Sequence, residues 1–288
     1  MHASDAQPGG ARKLKTKKHP QNPKTAVPAT LGPPGPCRKK AAYLKRGKLP
    51  MNIDLFLPNL VKVWTNYWKL FLLDGLKVTL EFTILAVFFG VLLGVVVAML
   101  KMSRFRIVRF LISVYIEVIR GTPILLQLYI FVFALPLIMP VKLSNYMWVA
   151  IALSINSSAY VSEVIRSGIQ AVDKGQTEAA RSLGMSGSQT MLRIILPQAV
   201  KNILPALGNE FIMMLKETSL ASTFYIGDLM TQYRIVTGAE YLAFETLVII
   251  GIIYLCLTFP LSKLVGLFEK KMSGEKAYRK RRKKRWPA

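Results

Sequence analysis

The strongest constraint on this chain is a run of 25 residues, Leu76 to Leu100 (LKVTLEFTILAVFFGVLLGVVVAML), in which charge is confined to Lys77 and Glu81. A helix of about 17 to 25 apolar residues crosses the roughly 30 Å hydrocarbon core of a bilayer, so this run predicts a transmembrane helix. Gly90 and Gly94 stand one turn apart in it and predict a small face for close helix contact. Further spans are expected from Pro123 to about Met139, from about Tyr146 to Ile169 and from about Tyr241 to Phe268. Another, from about Ile203 to Leu229, carries Glu210, Lys216, Glu217 and Asp228. The expectation is an all-α membrane protein with about five transmembrane helices.

Charge sets the topology. The chain has 39 Lys+Arg against 15 Asp+Glu, a net charge of +24, yet its basicity is mainly terminal. Residues 1–50 hold 12 Lys/Arg and one acid, and the final 20 residues hold 10 Lys/Arg and two acids. Short cytoplasmic loops collect Lys and Arg. Lys101, Arg104, Arg106 and Arg109 follow the first span, Lys174, Arg181, Arg193 and Lys201 follow the third, and the basic tail follows the fifth. Five alternating spans put all three groups on one side, which reads as cytoplasmic. The connections after the second and fourth spans offer only Lys142 and Arg234.

An odd span count puts the amino terminus outside, where the +11 charge of residues 1–50 contradicts the rule. A start at Met51 removes the conflict, so residues 1–50 read as a basic, Pro-rich disordered extension and a mis-set start. They contain no apolar stretch of about 7 to 15 residues, which argues against a signal peptide. Residues 51–71 place Phe56, Leu60, Trp64, Tyr67, Trp68 and Phe71 at helical spacing and read as an amphipathic interfacial segment. Residues 72–268 form the membrane domain, and 269–288 a basic cytoplasmic tail whose RKRRKKR run from Arg279 suits anionic lipid. A nucleic-acid arm built on Lys13, Lys15, Lys17 and Lys18 lacks interleaved aromatic residues. The only His are His2 and His19, and the only Cys are Cys37 and Cys256, so no metal site or His-activated nucleophile is expected in the core.

The membrane domain interrupts itself with a polar loop, residues 173–201. Asp173 can cap a first helix with Gln176 three positions on, and Gly184 can end it in the left-handed conformation. Ser186 and Gln189 repeat the capping pattern, and Pro197 is expected to end or re-aim the second helix. Two short helices with a tight corner follow. Ala179 and Ala180 give the first a side nearly free of bulk, and Glu178 adds a charge for a partner's cation. A helix-turn-helix reading has only Arg181 and Arg193 to meet DNA, in a loop held close to the bilayer.

Glu178, Ala179, Ala180, then Gly184, then Ile194, Leu196 and Pro197 reproduce the EAA signature, and the chain thereby resembles bacterial ABC importer membrane subunits of type I. EVIRGTPILLQLYIF from Glu117, EVIRSGIQAV from Glu163 and LKETSLAS from Leu215 resemble the polar amino acid permease group in particular. That group more often has Asp where Glu217 stands. The resemblance covers about residues 55–272. It implies that the 173–201 loop is a coupling helix docked on an ABC ATPase subunit dimer. It implies also an external solute-binding protein, a second permease subunit (the same chain or a paralogue), and a bacterial cell membrane location with loop and carboxyl terminus cytoplasmic. No cofactor is expected on this chain. It lacks a GxxxxGK[ST] loop, so ATP and Mg belong to the partner ATPase.

Charges within spans cost about 2.5 to 3.5 kcal/mol on insertion scales and are functional candidates. Glu210, Lys216, Glu217, Thr218, Ser219 and Gln127 are the candidate substrate path, with helix-to-helix pairing as the competing role. Gln127 and Asn156 suit neighbouring helices better than substrate. Glu163 and Arg166, at i and i+3, are expected to pair. Arg120, Gly121, Thr122 and Pro123 form a turn that breaks the helix, with Arg120 holding lipid phosphate or a carbonyl. The competing functions are a secondary transporter, for which no internal repeat is visible, and a membrane-anchored helix-turn-helix regulator.

Overall fold

The computed structural model describes residues 53–139 and 141–272, which are helices and connections with no strand among them. The 1–50 extension, with His2, His19 and Cys37, and the basic run from Arg279 lie outside the described residues. Helix α1 (Ile53–Lys69) passes through a π-turn (Leu70–Gly75) into α2 (Leu76–Lys101). The expected boundary between an interfacial segment and a first span is therefore not a break: Asp54–Lys101 is one 48-residue helical stretch. Nothing along it stops a helix. Pro58 falls near the start, and Gly75 keeps helical angles of −62° and −48°. At about 1.5 Å per residue the stretch exceeds twice the hydrocarbon thickness, so α1 reaches well beyond α2's crossing.

α1 is two-sided, but it divides the six residues of the expected segment: Phe56, Leu60 and Tyr67 are half-buried and Phe71 is buried, whereas Trp64 and Trp68 are exposed. Val63 and Phe71 are buried against Leu229, Val236, Ile249, Ile250 and Ile253. Leu57, Val61, Trp64 and Trp68 recur on another face and are exposed.

After α2 come α3 (Arg106–Gly121), α4 (Ile124–Tyr129), a π-turn (Ile130–Ala134) and α5 (Leu135–Ile138). α6 (Asn145–Gln170) leads into α7 (Lys174–Ser182) and α8 (Gly187–Thr190), then through a π-turn (Met191–Ile195) into α9 (Leu196–Glu217). A 3₁₀ turn (Thr218–Phe224), α10 (Leu229–Glu240) and α11 (Ala243–Met272) complete the described chain.

Three helical stretches are long and apolar enough to cross a membrane, or four if the pair Arg106–Gly121 and Ile124–Ile138, bent by 104°, counts as one broken span. The expected span from Ile203 to Leu229 is not among them. Its helix stops at Glu217, the backbone turns left-handed at Tyr225 (φ 52°), and Asp228 is the N-cap of α10. Asp228 accepts the Met230 and Thr231 amides at 3.0 and 3.3 Å. α9 packs against α2, α6 and α11. A helix covered by other helices need not be apolar all round, which is why composition alone misjudges it.

The close approach of α2 and α6 is the expected one. A Cβ on Gly90 would lie 2.5 Å from Ser157 Oγ, and one on Gly94 2.6 Å from Val161 Cγ1. With the Phe82 and Tyr146 rings tilted against each other 4.3 Å apart, these contacts make α2 and α6 run in the same direction. α9 runs against α6, since Ile203 meets Gly168 while Glu210 meets Ser157. α11 starts beside α1, with Phe56 and Phe244 rings 5.5 Å apart, and meets Gly208 of α9 only at Val265. Lys101, the 173–201 loop and the last turns of α11 thus gather at one end of the bundle. At the other end Glu240 accepts Lys62 Nζ at 2.6 Å and Tyr67 Oη at 3.0 Å, contacts that hold its carboxyl below the usual range.

Candidate functional site

The loop is a capped hairpin in which each terminus can be traced to a side chain. Asp173 Oδ1 accepts the Gly175 amide at 2.7 Å and so caps α7. Gln176 does not close a capping box; its Oε1 accepts Gln198 Nε2 at 3.4 Å and ties α7 to α9. α7 ends in the full Schellman pattern, with Met185 N–H on Ala180 O at 3.1 Å, Gly184 N–H on Arg181 O at 3.0 Å, and Gly184 at φ +84°. Arg181 Nη1 adds a bond to Met185 O at 3.0 Å across the corner. Ser186 and Gln189 form the expected capping box, with Gln189 N–H on Ser186 Oγ at 3.3 Å and Ser186 N–H on Gln189 Oε1 at 2.9 Å.

Two expectations need correction. Pro197 does not end the second helix: it sits in the first turn of α9, where a missing N–H is tolerated, and the π-turn just before it absorbs the change in backbone pairing. α8 is therefore the tip of the long α9 helix. The bare side of α7 is also narrower than expected, because Ala180 is only 5% exposed, whereas Glu178 and Ala179 face solvent. Ile194 and Leu196 are half-buried and Pro197 is exposed. Among the described residues Glu178 has no hydrogen-bond or ion-pair partner, so its charge is available to another molecule.

A Cβ on Gly184 would meet nothing within 4 Å. Gly184→Ala should therefore cost only the left-handed backbone penalty, about 1 kcal/mol. Hydrogen exchange at the Met185 amide should accelerate roughly fivefold on that basis, while the rest of the bundle keeps its protection.

About 20 Å up both α6 and α9 from the hairpin, at about 1.5 Å per residue, lies a polar cluster inside the membrane domain. Ser157 Oγ donates to Glu210 Oε1 at 3.2 Å, and Glu210 is 7% exposed. Next to them Asn156 Nδ2 donates to Gln127 Oε1 at 2.9 Å. Gln127 Nε2 in turn reaches Ile119 O at 2.7 Å and Thr122 Oγ1 at 2.9 Å, satisfying the broken end of α3. Gln127 thus ties α3, α4 and α6 together.

Thr218 is likewise spent on its own helix, donating to Leu215 O at 2.8 Å. Lys216 is exposed and has no hydrogen-bond or ion-pair partner among the described residues, and no Glu210–Lys216 pair forms. Glu217 and Ser219 are half-buried. The Arg120 guanidinium lies 5.3 Å from the Tyr160 ring centroid and 3.9 Å from Glu163. The turn it begins is as expected, with Thr122 and Pro123 extended between α3 and α4. Glu163 and Arg166 pair at 2.7 Å. Ser157 escaped the sequence reading, although the Ser154, Ser157, Ser158 and Ser162 stripe in an apolar span was a visible sign.

The chain from 90 to 274 matches the family described as binding-protein-dependent transport system inner membrane component. Over 202 residues it is 40% identical to the arginine transport system permease protein ArtQ of Bacillus subtilis (strain 168), covering 70% of this chain and 92% of that one. A protein of Rickettsia bellii (strain RML369-C), provisionally named a glutamine transport system permease protein, is 42% identical over 203 residues, 70% of this chain and 93% of that one. Among solved structures, one described as an amino acid ABC transporter with histidines aligns with a TM-score of 0.69 at 49% identity, covering 72% of this chain and 96% of that one. The MetNI methionine ABC transporter aligns at 0.51 with 18% identity, covering 67% and 94%, and shares the fold.

Proposed function

This chain belongs to the family of binding-protein-dependent transport system inner membrane components and is a permease subunit of an ABC importer, and on that premise we propose that it carries polar amino acids and couples their passage to a separate ATPase through the 173–201 hairpin. The observation that carries the coupling is mechanical. The exposed Glu178 and Ala179 sit on α7, which is joined to α6 on one side and to α9 on the other, and those two helices hold Asn156, Ser157 and Glu210 between them. A force on α7 therefore moves both walls of the polar cluster.

In this reading Glu178, Ala179 and the Gly184 corner face an ATPase dimer in the cytoplasm, and Ala180, Ile194 and Leu196 stiffen the joint. The bundle end that gathers Lys101, the hairpin and the end of α11 is the cytoplasmic one, consistent with its Lys and Arg. ATP and Mg act on the partner ATPase, and this chain binds no cofactor of its own. A solute-binding protein delivers cargo at the opposite end, and a second permease subunit completes the path. Glu210, Lys216, Glu217 and Ser219 are the path groups whose charge and hydroxyl suit an amino acid's ammonium and carboxylate.

Relatives named for arginine and for glutamine support a polar amino acid as cargo. Uptake into vesicles bearing the complete importer, measured against a panel of labelled amino acids, should show a polar one transported and leucine and phenylalanine not. Uptake confined to apolar amino acids, or to none, would remove this reading.

A further inference from the structure

Asn156, Tyr160 and Glu163 stand at i, i+4 and i+7 on α6 and so share one face, which carries polar chemistry about 10 Å from the central cluster toward the hairpin end. That face ends at a cavity of about 460 Å³ lined by Lys101, Ile116, Glu117, Arg120, Glu163 and Arg166. The lining carries both signs of charge on two helices and the end of a third.

The members are not equally committed. Arg166 is held in place, with Nη2 on Glu163 Oε2 at 2.7 Å and Nη1 on Gln170 Oε1 at 2.6 Å. Lys101 Nζ donates to Ser113 Oγ at 2.7 Å. Arg120 keeps only the loose 3.9 Å contact to Glu163 and the stack on Tyr160, and its side chain is 44% exposed. Glu117, one turn before Arg120 on α3, has no hydrogen-bond or ion-pair partner among the described residues. A carboxylate and a guanidinium with unused capacity thus stand side by side at the mouth of a cavity.

We propose that this cavity is an exit-side subsite that receives the zwitterionic head of a free amino acid after it leaves the central cluster. Glu117 takes the α-ammonium, Arg120 takes the α-carboxylate, and Glu163, fixed by Arg166, positions Arg120. An anionic lipid headgroup or a free phosphate would use the cations but would be repelled by Glu117 and Glu163, so the mixed lining favours a zwitterion. The proposal rests on the reading that the cargo is an amino acid.

The test uses the complete importer in vesicles with ATP inside, fed externally with a polar amino acid that the uptake panel shows to be transported. The same amino acid, its amide and its N-acetyl derivative are titrated into the lumen, in vesicles with and without anionic lipid. Luminal amino acid should slow uptake, both derivatives should do so more weakly, and Glu117→Gln should raise the half-inhibiting concentration at least fivefold. Arg120→Lys, which keeps the charge and loses the fork, should shift it less than Arg120→Gln does. An unchanged half-inhibiting concentration in Glu117→Gln, no inhibition of the parent protein, equal inhibition by all three compounds, or dependence on anionic lipid alone would each overturn the subsite. Absence of uptake of every polar amino acid in the panel by the parent protein would instead overturn the function proposed above.

Discussion

Glu178→Arg should strip the ATPase from the purified permease and abolish ATP-driven uptake, without unfolding the membrane domain. The side chain is exposed and makes no hydrogen bond or ion pair among the described residues, and its helix is held by Asp173, by the Schellman bonds and by Arg181 on Met185 O. Reversal therefore leaves the hairpin's own supports intact. Truncating one member of a hydrogen-bonded interfacial charge pair costs about 2 to 5 kcal/mol, a loss of roughly thirtyfold or more in affinity. Reversal adds repulsion to that loss. The dissociation constant for the ATPase, measured by titration, should rise by at least about thirtyfold on that basis, and Glu178→Asp, which keeps the charge but shortens the reach, should fall between.

Lys216→Met should produce the other large effect, with the opposite distribution. Lys216 lies in the last turn of α9, six residues beyond Glu210 and next to Glu217, where a cation is also favoured by the helix terminus. Met preserves much of the length and apolar stem. No ion pair among the described residues is broken, so assembly with the ATPase should persist. If Lys216 meets the cargo carboxylate, uptake should fall by about two orders of magnitude, equivalent to roughly 2.7 kcal/mol. Normal uptake in this variant would remove Lys216 from the path.

What could be read from the chain, and what could not, divides by range. The hairpin was legible because its caps are local: Ser186 and Gln189 act over three residues, and Gly184 ends α7 through the backbone of its own turn. The Gly90 and Gly94 contact was legible because small residues one turn apart in an apolar helix serve close packing. Pro197 misled because a π-turn five residues long lets a helix pass through a proline, and nothing in composition announces such a turn. The end of the expected fourth span differs because α9 stops at Glu217 and Asp228 caps the next helix, and neither boundary is visible in composition. The Ser157 to Glu210 bond joins residues 53 apart, and only the packing of α6 on α9 brings them together.

The same distinction explains the candidate path. Gln127 and Thr218 are polar residues in apolar surroundings, which made them candidates, but their donors are spent on backbone and neighbouring side chains. Lys216 and Glu117 have no such commitments. Which polar groups a fold consumes and which it leaves available is a property of the packed helices.

The division of labour between hairpin and membrane core is tested most directly by the amount of ATPase subunit retained per permease in Glu178→Arg and Lys216→Met, purified side by side from membranes with equal permease levels. Loss of the ATPase in the first variant and full retention in the second is the predicted result. Full retention in Glu178→Arg would contradict the assignment of the 173–201 hairpin as the element that receives the ATPase.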